Sequence, residues 1–185
     1  APAAASGAPS QGTAVALCGC AGEIDGVVDL SSVARRIETL AGVRTCAVLP
    51  LACLPEGRER LRQLASTPGI DRLVVGACSH RTHEPLFQRL AAESGINPYQ
   101  LELVNLREQC SWVHPDDPAG ATRKACELVT RAVERIAQAR PVVRLERSPV
   151  RAALVIGGGV SGMTSALAIA DAGFDIHLVE RSPEL

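Results

Sequence analysis

The chain has 185 residues, 46% hydrophobic and 21% charged, enough for one ordinary core or two small ones. Its 19 basic against 20 acidic side chains leave no cationic surplus for a phosphate backbone, and 2% aromatic residues leave few platforms for bases, so nucleic-acid binding is set aside. The longest apolar runs, such as AALVIGG and LVVGAC, fall far short of the roughly 20 residues that span a bilayer.

Residues 1–12, APAAASGAPSQG, have neither a basic start nor a continuous apolar stretch. They read as a linker rather than a signal or transit peptide, too poor in large apolar groups to offset their ordering entropy. From residue 13 onward short β-rich runs alternate with helical patterns, as in βα units on a parallel sheet. The first strand is TAVALC, 13–18. Asp29 or Ser31 can cap a helix whose Val33, Ile37 and Leu40 recur at helical spacing, and Gly42 stops it. VRTCAVLP, 43–50, is the second strand, with a helix EGRERLRQLAS after Pro55. RLVVGAC, 72–78, is the third, followed by a helix EPLFQRLAAESG that ends at Gly95. YQLELVNL, 99–106, is the fourth. Asp116, Asp117 and Pro118 then signal a helix with Ala121, Ala125, Leu128, Val129, Ala132 and Ile136 on one face.

These units complete an α/β domain over 13–140, and PVVRLERSPV, 141–150, reads as a connector. The pattern restarts at 151–185 with strand RAALVIGG, helix SGMTSALAIADAG and strand FDIHLVE. A single βαβ unit cannot bury its own faces, so this second domain is expected to be incomplete and the chain to be a fragment.

Gly157, Gly159 and Gly162 in GGGVSG match G-x-G-x-x-G, placed after a buried strand and opening a helix. The first glycine permits the tight turn, the second lets a pyrophosphate approach, and the third allows close helix–strand packing. Glu180 ends the next strand, where a carboxylate would accept hydrogen bonds from ribose hydroxyls. FAD and NAD both fit, and LVERS favours FAD because it resembles the corresponding strand end of two-dinucleotide-binding flavoproteins.

The seven cysteines have no pairing pattern and no secretory signal, which points to a reducing, cytoplasmic compartment with thiols as ligands or reactive groups. Ligands of an open parallel sheet gather beyond the carboxyl ends of its strands. Cys18 ends the first strand and Cys20 follows it; Cys53 lies beyond the second; Cys78 ends the third; Cys110 follows the fourth. Cys46 and Cys126 fall inside a strand and a helix, where a small buried hydrophobe is the expected role. Single thiolates from widely spaced loops, with no C-x-x-C pair, favour a [4Fe–4S] cluster over zinc. A nucleophilic Cys78 assisted by His80 or His83 is a third reading, and it leaves the other thiols unexplained. His80 and His83 can instead donate hydrogen bonds near a cluster, and Arg81 and Arg107 can offset its charge.

CGCAGEIDGVVDL, ACSHRTHEPLF, INPYQLELVNLREQCSWVH and ALVIGGGVSGMTSALAIADAGFDIHLVERS strongly resemble the N-terminal part of HdrA, the iron–sulfur flavoprotein of heterodisulfide reductase, and its bacterial homologues. The resemblance runs over 14–185, with REQCSWVH its most specific segment. It implies an α/β domain carrying an unconventional [4Fe–4S] cluster, then the opening βαβ of a Rossmann-type, thioredoxin-reductase-like FAD-binding domain. The implied ligands are Cys53, Cys78, Cys110 and one of Cys18 and Cys20, with Cys20 preferred because a loop position turns more freely toward a shared centre. Here the motifs read CGC and CSHRTHE, where the family often has another residue between the cysteines and a proline after CS; neither change removes a ligand. The implied function is electron relay between cluster and FAD within a flavin iron–sulfur oxidoreductase, including flavin-based electron bifurcation. The implied partners are other subunits of such a complex and ferredoxin or hydrogenase- or dehydrogenase-type donors. This chain alone is not expected to be catalytically complete. The alternative from another class is a non-redox, zinc-stabilised docking module of a flavoprotein complex.

Overall fold

The computed structural model describes residues 12–143, 145 and 147–183; the linker expected at the N-terminus lies, but for Gly12, outside the described residues. The chain divides between Val142 and Val143 into two compact units.

In the first unit, β1 (Gly12–Cys18), β2 (Val43–Leu49), β3 (Ile70–Ala77) and β4 (Leu101–Asn105) form a parallel sheet in the order β2-β1-β3-β4. The period-two alternation of each strand feeds two cores. Val15 and Leu17 of β1, Val74 of β3 and Val104 of β4 pack with α1 (Leu30–Glu38) and α4 (Pro118–Gln138). Ala14, Ala16 and Cys18 of β1, with Leu73, Val75 and Ala77 of β3, pack with α2 (Pro55–Ala65) and α3 (His80–Glu93). The α/β expectation is met, as a sheet between two helical layers.

Local chemistry sets the helix starts. Asp29 caps α1 by accepting from Ser32 N at 2.9 Å, and Asp117 caps α4 by accepting from Gly120 N at 2.9 Å. Of the helical face assigned to α4, Leu128 is only partly buried and Val133 is buried in addition.

Two expectations are corrected. The third helix begins at His80, one turn before the expected EPLF, because Ser79 caps it by accepting from Arg81 N at 3.3 Å. Pro85 therefore sits inside the helix, where it cannot donate to the Arg81 carbonyl. The strand expected over 99–106 is shortened by a 3₁₀ turn at Pro98–Gln100, where Asn97 accepts from Tyr99 N at 3.0 Å. After β4 the chain forms a π-turn at Arg107–Ser111, with Ser111 N bonded to Leu106 O at 3.1 Å and Trp112 N to Arg107 O at 2.9 Å.

In the second unit, β5 (Ala152–Ile156) and β6 (Asp175–Val179) pair in parallel, joined by α5 (Val160–Asp171). The helix buries none of its residues, and both strands alternate exposed with half-buried positions. Leu154, Ile156 and Leu167 stand in solvent, as a lone βαβ unit requires.

Candidate metal centre and dinucleotide loop

The sheet order makes a topological switch point between β1 and β3. From β1 the chain crosses to β2 on one side, and from β3 it proceeds to β4 on the other, so the loops after β1 and β3 diverge and leave a crevice. Cys20 and Cys78 belong to those two loops, and Cys53 follows the neighbouring β2.

The loop after β1 turns sharply. Cys20 and Ala21 adopt left-handed conformations with φ of 57° and 54°, and Gly22 follows with 97°. Left-handed non-glycine residues are uncommon and cost free energy, so surrounding contacts must hold them. Gly19 N donates to Leu49 O at 2.8 Å, Ala21 N to Pro50 O at 3.3 Å and Ile24 N to Gly19 O at 2.9 Å. The loop is thus bound to the end of β2, and Cys20 packs at the edge of both cores.

Arg107, 87 residues away, donates from Nη1 to Cys20 Sγ at 3.6 Å, a contact length suited to sulfur's radius. Its guanidinium pairs with Glu108 Oε1 at 3.0 Å and lies 4.6 Å from the centre of the Trp112 ring. Trp112 Nε1 in turn donates to Glu23 Oε2 at 2.8 Å. Arg107, Trp112 and Glu23 therefore tie the π-turn after β4 to the loop after β1.

Burial pushes the Cys78 thiol above its ordinary value; Arg107 opposes that shift, and Cys20 and Cys53 add to it through their charge. Three thiols and one guanidinium thus share one electrostatic neighbourhood. Cys18 is also raised by burial and feels Cys20 and Cys53, but its sulfur is occupied. It accepts from Ala52 N at 3.3 Å and its thiol faces Pro50 O at 3.9 Å. Cys110 is fully buried in the core against α1 and α4, raised by burial, and the charge acting on it is Lys124 rather than another thiol. Cys20 and Cys53 thus act through their charge on both Cys78 and Cys18, whereas the charge acting on Cys110 is that of Lys124.

The histidines stand elsewhere. His83 lies in α3 edge-on to Phe87, ring centres 6.4 Å apart, and lines a groove between α2 and α3. His80 lines another groove with Asn105, Gln109 and α4. Neither His80 nor His83, nor Arg81, is among the charges acting on Cys78; Arg107 is. The π-turn and the Trp112–Glu23 bond are not legible in the sequence, although an Arg and a Trp flanking Cys110 in REQCSW are the available signal.

Cys46 in β2 and Cys126 in α4 pack against the core. Burial, aided by the charge of Glu38, pushes Cys46 up to about 12. A folded thiol raised above its unfolded value stabilises the fold at neutral pH, and that contribution is lost as pH rises toward about 12. At pH 8 Cys46 should stay a protonated thiol and resist iodoacetamide, while denatured protein alkylates fully; peptide mass mapping reads the difference, and native alkylation of Cys46 as fast as in denatured protein would refute it.

Among the described residues, no three His, Cys, Asp or Glu side chains are grouped as a single bound metal ion requires. The donor chemistry is that of a soft-metal site: free thiols, a cation donating to sulfur, and apolar walls. These features fit a polynuclear iron–sulfur group, whose ligands are set wider apart than those of one ion.

In the second unit Gly157 has φ of +108°, and a Cβ at Gly162 would overlap the Gly157 carbonyl oxygen, so α5 can approach the loop only at glycine. Nothing lies within 4 Å of a Cβ at Gly159, the first residue before α5, leaving that approach open. Glu180 accepts from Gly158 N at 2.6 Å and from Ser182 N at 2.9 Å, and these backbone bonds hold its carboxyl below the usual range. The carboxylate and the glycine loop thus form one polar unit at the helix start.

Fold and site define a class: a thiol-bearing parallel-sheet domain followed by the opening βαβ of a dinucleotide-binding domain. Residues 152–185 match the FAD binding domain family model. Over 174 residues, 92% of this chain, it is 46% identical to an HdrA-type iron-sulfur protein of the CoB–CoM heterodisulfide reductase of Methanopyrus kandleri, covering 26% of that protein. It is 44% identical over 174 residues to the HdrA protein of the H2:CoB-CoM heterodisulfide,ferredoxin reductase of Methanothermobacter thermautotrophicus, again 92% of this chain and 26% of that one. The HdrA protein of the ferredoxin/F420H2-dependent CoB-CoM heterodisulfide reductase of Methanosarcina acetivorans is 39% identical over 167 residues, 90% of this chain and 21% of the relative. Over most of its length the chain is thus similar to part of the HdrA proteins of the heterodisulfide reductases. It spans about a quarter of the length of the curated relatives it matches.

Proposed function

We propose that this chain is the electron-relay region of a heterodisulfide-reductase-like flavin iron–sulfur oxidoreductase. Cys20, Cys53, Cys78 and Cys110 would hold a [4Fe–4S] cluster, and Gly157, Gly159, Gly162 and Glu180 would receive the pyrophosphate and ribose of FAD. The observation that carries the reading is the convergence of Cys20 and Cys78 on Arg107 at the switch point, with the charge of Cys53 acting on Cys78. The relatives' names, which speak of iron-sulfur proteins and of ferredoxin, support it. Cys18 is the structural member of the first pair, because its sulfur already has backbone partners.

A bound cluster takes up and releases single electrons; the chain's own residues set its surroundings. Arg107 places a fixed positive charge beside Cys20 and Cys78, which favours the additional negative charge of a reduced site. Glu108 and the Trp112 ring hold that guanidinium in place. Removing the charge in Arg107→Gln should lower the midpoint potential by about 59 mV, a tenfold change for a one-electron couple, with iron content preserved. A redox titration followed by EPR reads the shift, and an unchanged midpoint in the iron-replete variant would sink this role.

The whole protein's proposed activity is transfer between a two-electron flavin and one-electron carriers, including electron bifurcation. Its proposed partners are the other subunits of such a complex and ferredoxin or hydrogenase- or dehydrogenase-type donors. Among the described residues no helix is long and apolar enough to cross a membrane, and the free thiols suit a cytoplasmic, reducing compartment. Anaerobic purification with iron, sulfide and zinc analysis tests the reading. About four irons and four sulfides per chain support it, and one zinc with no iron overturns it in favour of the docking module.

A further inference from the structure

We infer that the groove between α2 and α3 is a binding site for a small organic phosphate, separate from both the thiol centre and the glycine-rich loop. The groove measures about 370 Å³, within the range of small-molecule sites, and Arg58, Arg62, Thr82, His83, Arg89 and Glu93 supply its polar groups. Three guanidiniums thus face one carboxylate. Arg62 is the one already engaged, with Glu59 at 3.5 Å and Glu93 at 3.7 Å. Among the described residues, Arg58 and Arg89 have no carboxylate within ion-pair reach, and the buried Nε of Arg58 has no hydrogen-bond partner.

An unpartnered buried donor costs free energy unless something accepts from it. An oxoanion answers that need and the charge excess together, because guanidinium forks match phosphate oxygens in pairs. The Thr82 hydroxyl adds a donor, and the start of α3 beside it favours negative charge. Pro85, Leu86 and Leu90 complete the lining, so the ligand has an apolar portion beside its anionic group. His83 of the CSHRTHE segment, left without a role at the thiols, finds one here.

The test uses the whole chain in isothermal titration calorimetry at constant ionic strength, with phenyl phosphate, inorganic phosphate and benzoate as probes. Saturable binding is expected, at least threefold tighter for phenyl phosphate than for inorganic phosphate or for benzoate. Arg58→Gln and Arg89→Gln should each weaken phenyl phosphate at least tenfold, whereas Arg131→Gln on α4 should not change it. Arg89 is exposed, so its replacement keeps the test interpretable where Arg58→Gln fails to fold. Heat that does not saturate, or that chloride reproduces, overturns the site. Undiminished binding by Arg89→Gln places the phosphate elsewhere, as at the glycine-rich loop, and also overturns it. Equal affinity for benzoate overturns the assignment to phosphate.

Discussion

Single replacement of Cys20, Cys53, Cys78 or Cys110 by serine is expected to strip an intact [4Fe–4S] cluster from the protein, while Cys18→Ser, Cys46→Ser and Cys126→Ser retain it. Each iron of a cube takes one protein sulfur, and a hard hydroxyl is a poor substitute for a soft thiolate. Cys46 and Cys126 serve as controls because each is packed against the core rather than the crevice. The decisive comparison is Cys18 with Cys110. Cys18 lies in the electrostatic reach of Cys20 and Cys53 but is held by Ala52 N and Pro50 O. Cys110 is buried against the opposite core, so it must turn from that packing toward the crevice to become a ligand. The π-turn around it is held by i to i+5 bonds, a geometry found frequently at functional sites. Iron, sulfide and EPR intensity per chain read the series. A full cluster in Cys110→Ser together with loss in Cys18→Ser would move the fourth corner to Cys18.

Gly57→Ala is expected to lower stability by about 1–3 kcal/mol, as overpacking does, and to reduce iron loading with it. A Cβ at position 57 would overlap the Leu51 carbonyl oxygen and come within 2.8 Å of Leu51 C and 2.9 Å of Ala52 Cα. These are backbone atoms and cannot swing aside like the end of a side chain. The segment that must yield joins β2 to α2, carries Cys53, and supplies the Ala52 N–H that holds Cys18. Urea unfolding measures the loss, with exposed Gln63→Ala on the same helix expected within about 0.5 kcal/mol of the parent. An unchanged midpoint for Gly57→Ala would mean that α2 does not rest on this loop.

Residue type at strand and helix ends makes much of the site legible. Cys20, Cys53 and Cys78 stand out because each follows a strand of a parallel sheet, and Cys20 and Cys53 act on Cys78 through their charge. Gly157 and Gly162 stand out because a tight βα turn excludes a Cβ, and their backbone has that form. His80, Arg81 and His83 do not join Cys78, because nearness in sequence is not nearness in space. Ser79 starts a helix at once, and a helix sends successive side chains around its axis, so His83 faces α2 and His80 the β4 side.

By itself, the sequence determined the alternation that gives β1 and β3 two buried faces, the caps that start α1 and α4, the thiols at strand ends and the glycine turn before α5. These are properties of neighbouring residues, governed by local dihedrals and periodicity. Only the tertiary structure decided that β1 lies between β2 and β3, that Arg107 reaches Cys20 across 87 residues, that Trp112 meets Glu23, and that Arg58 and Arg89 share a groove. Those contacts depend on strand order and on which face each helix covers, and both are settled by the burial of the whole sheet rather than by any one segment.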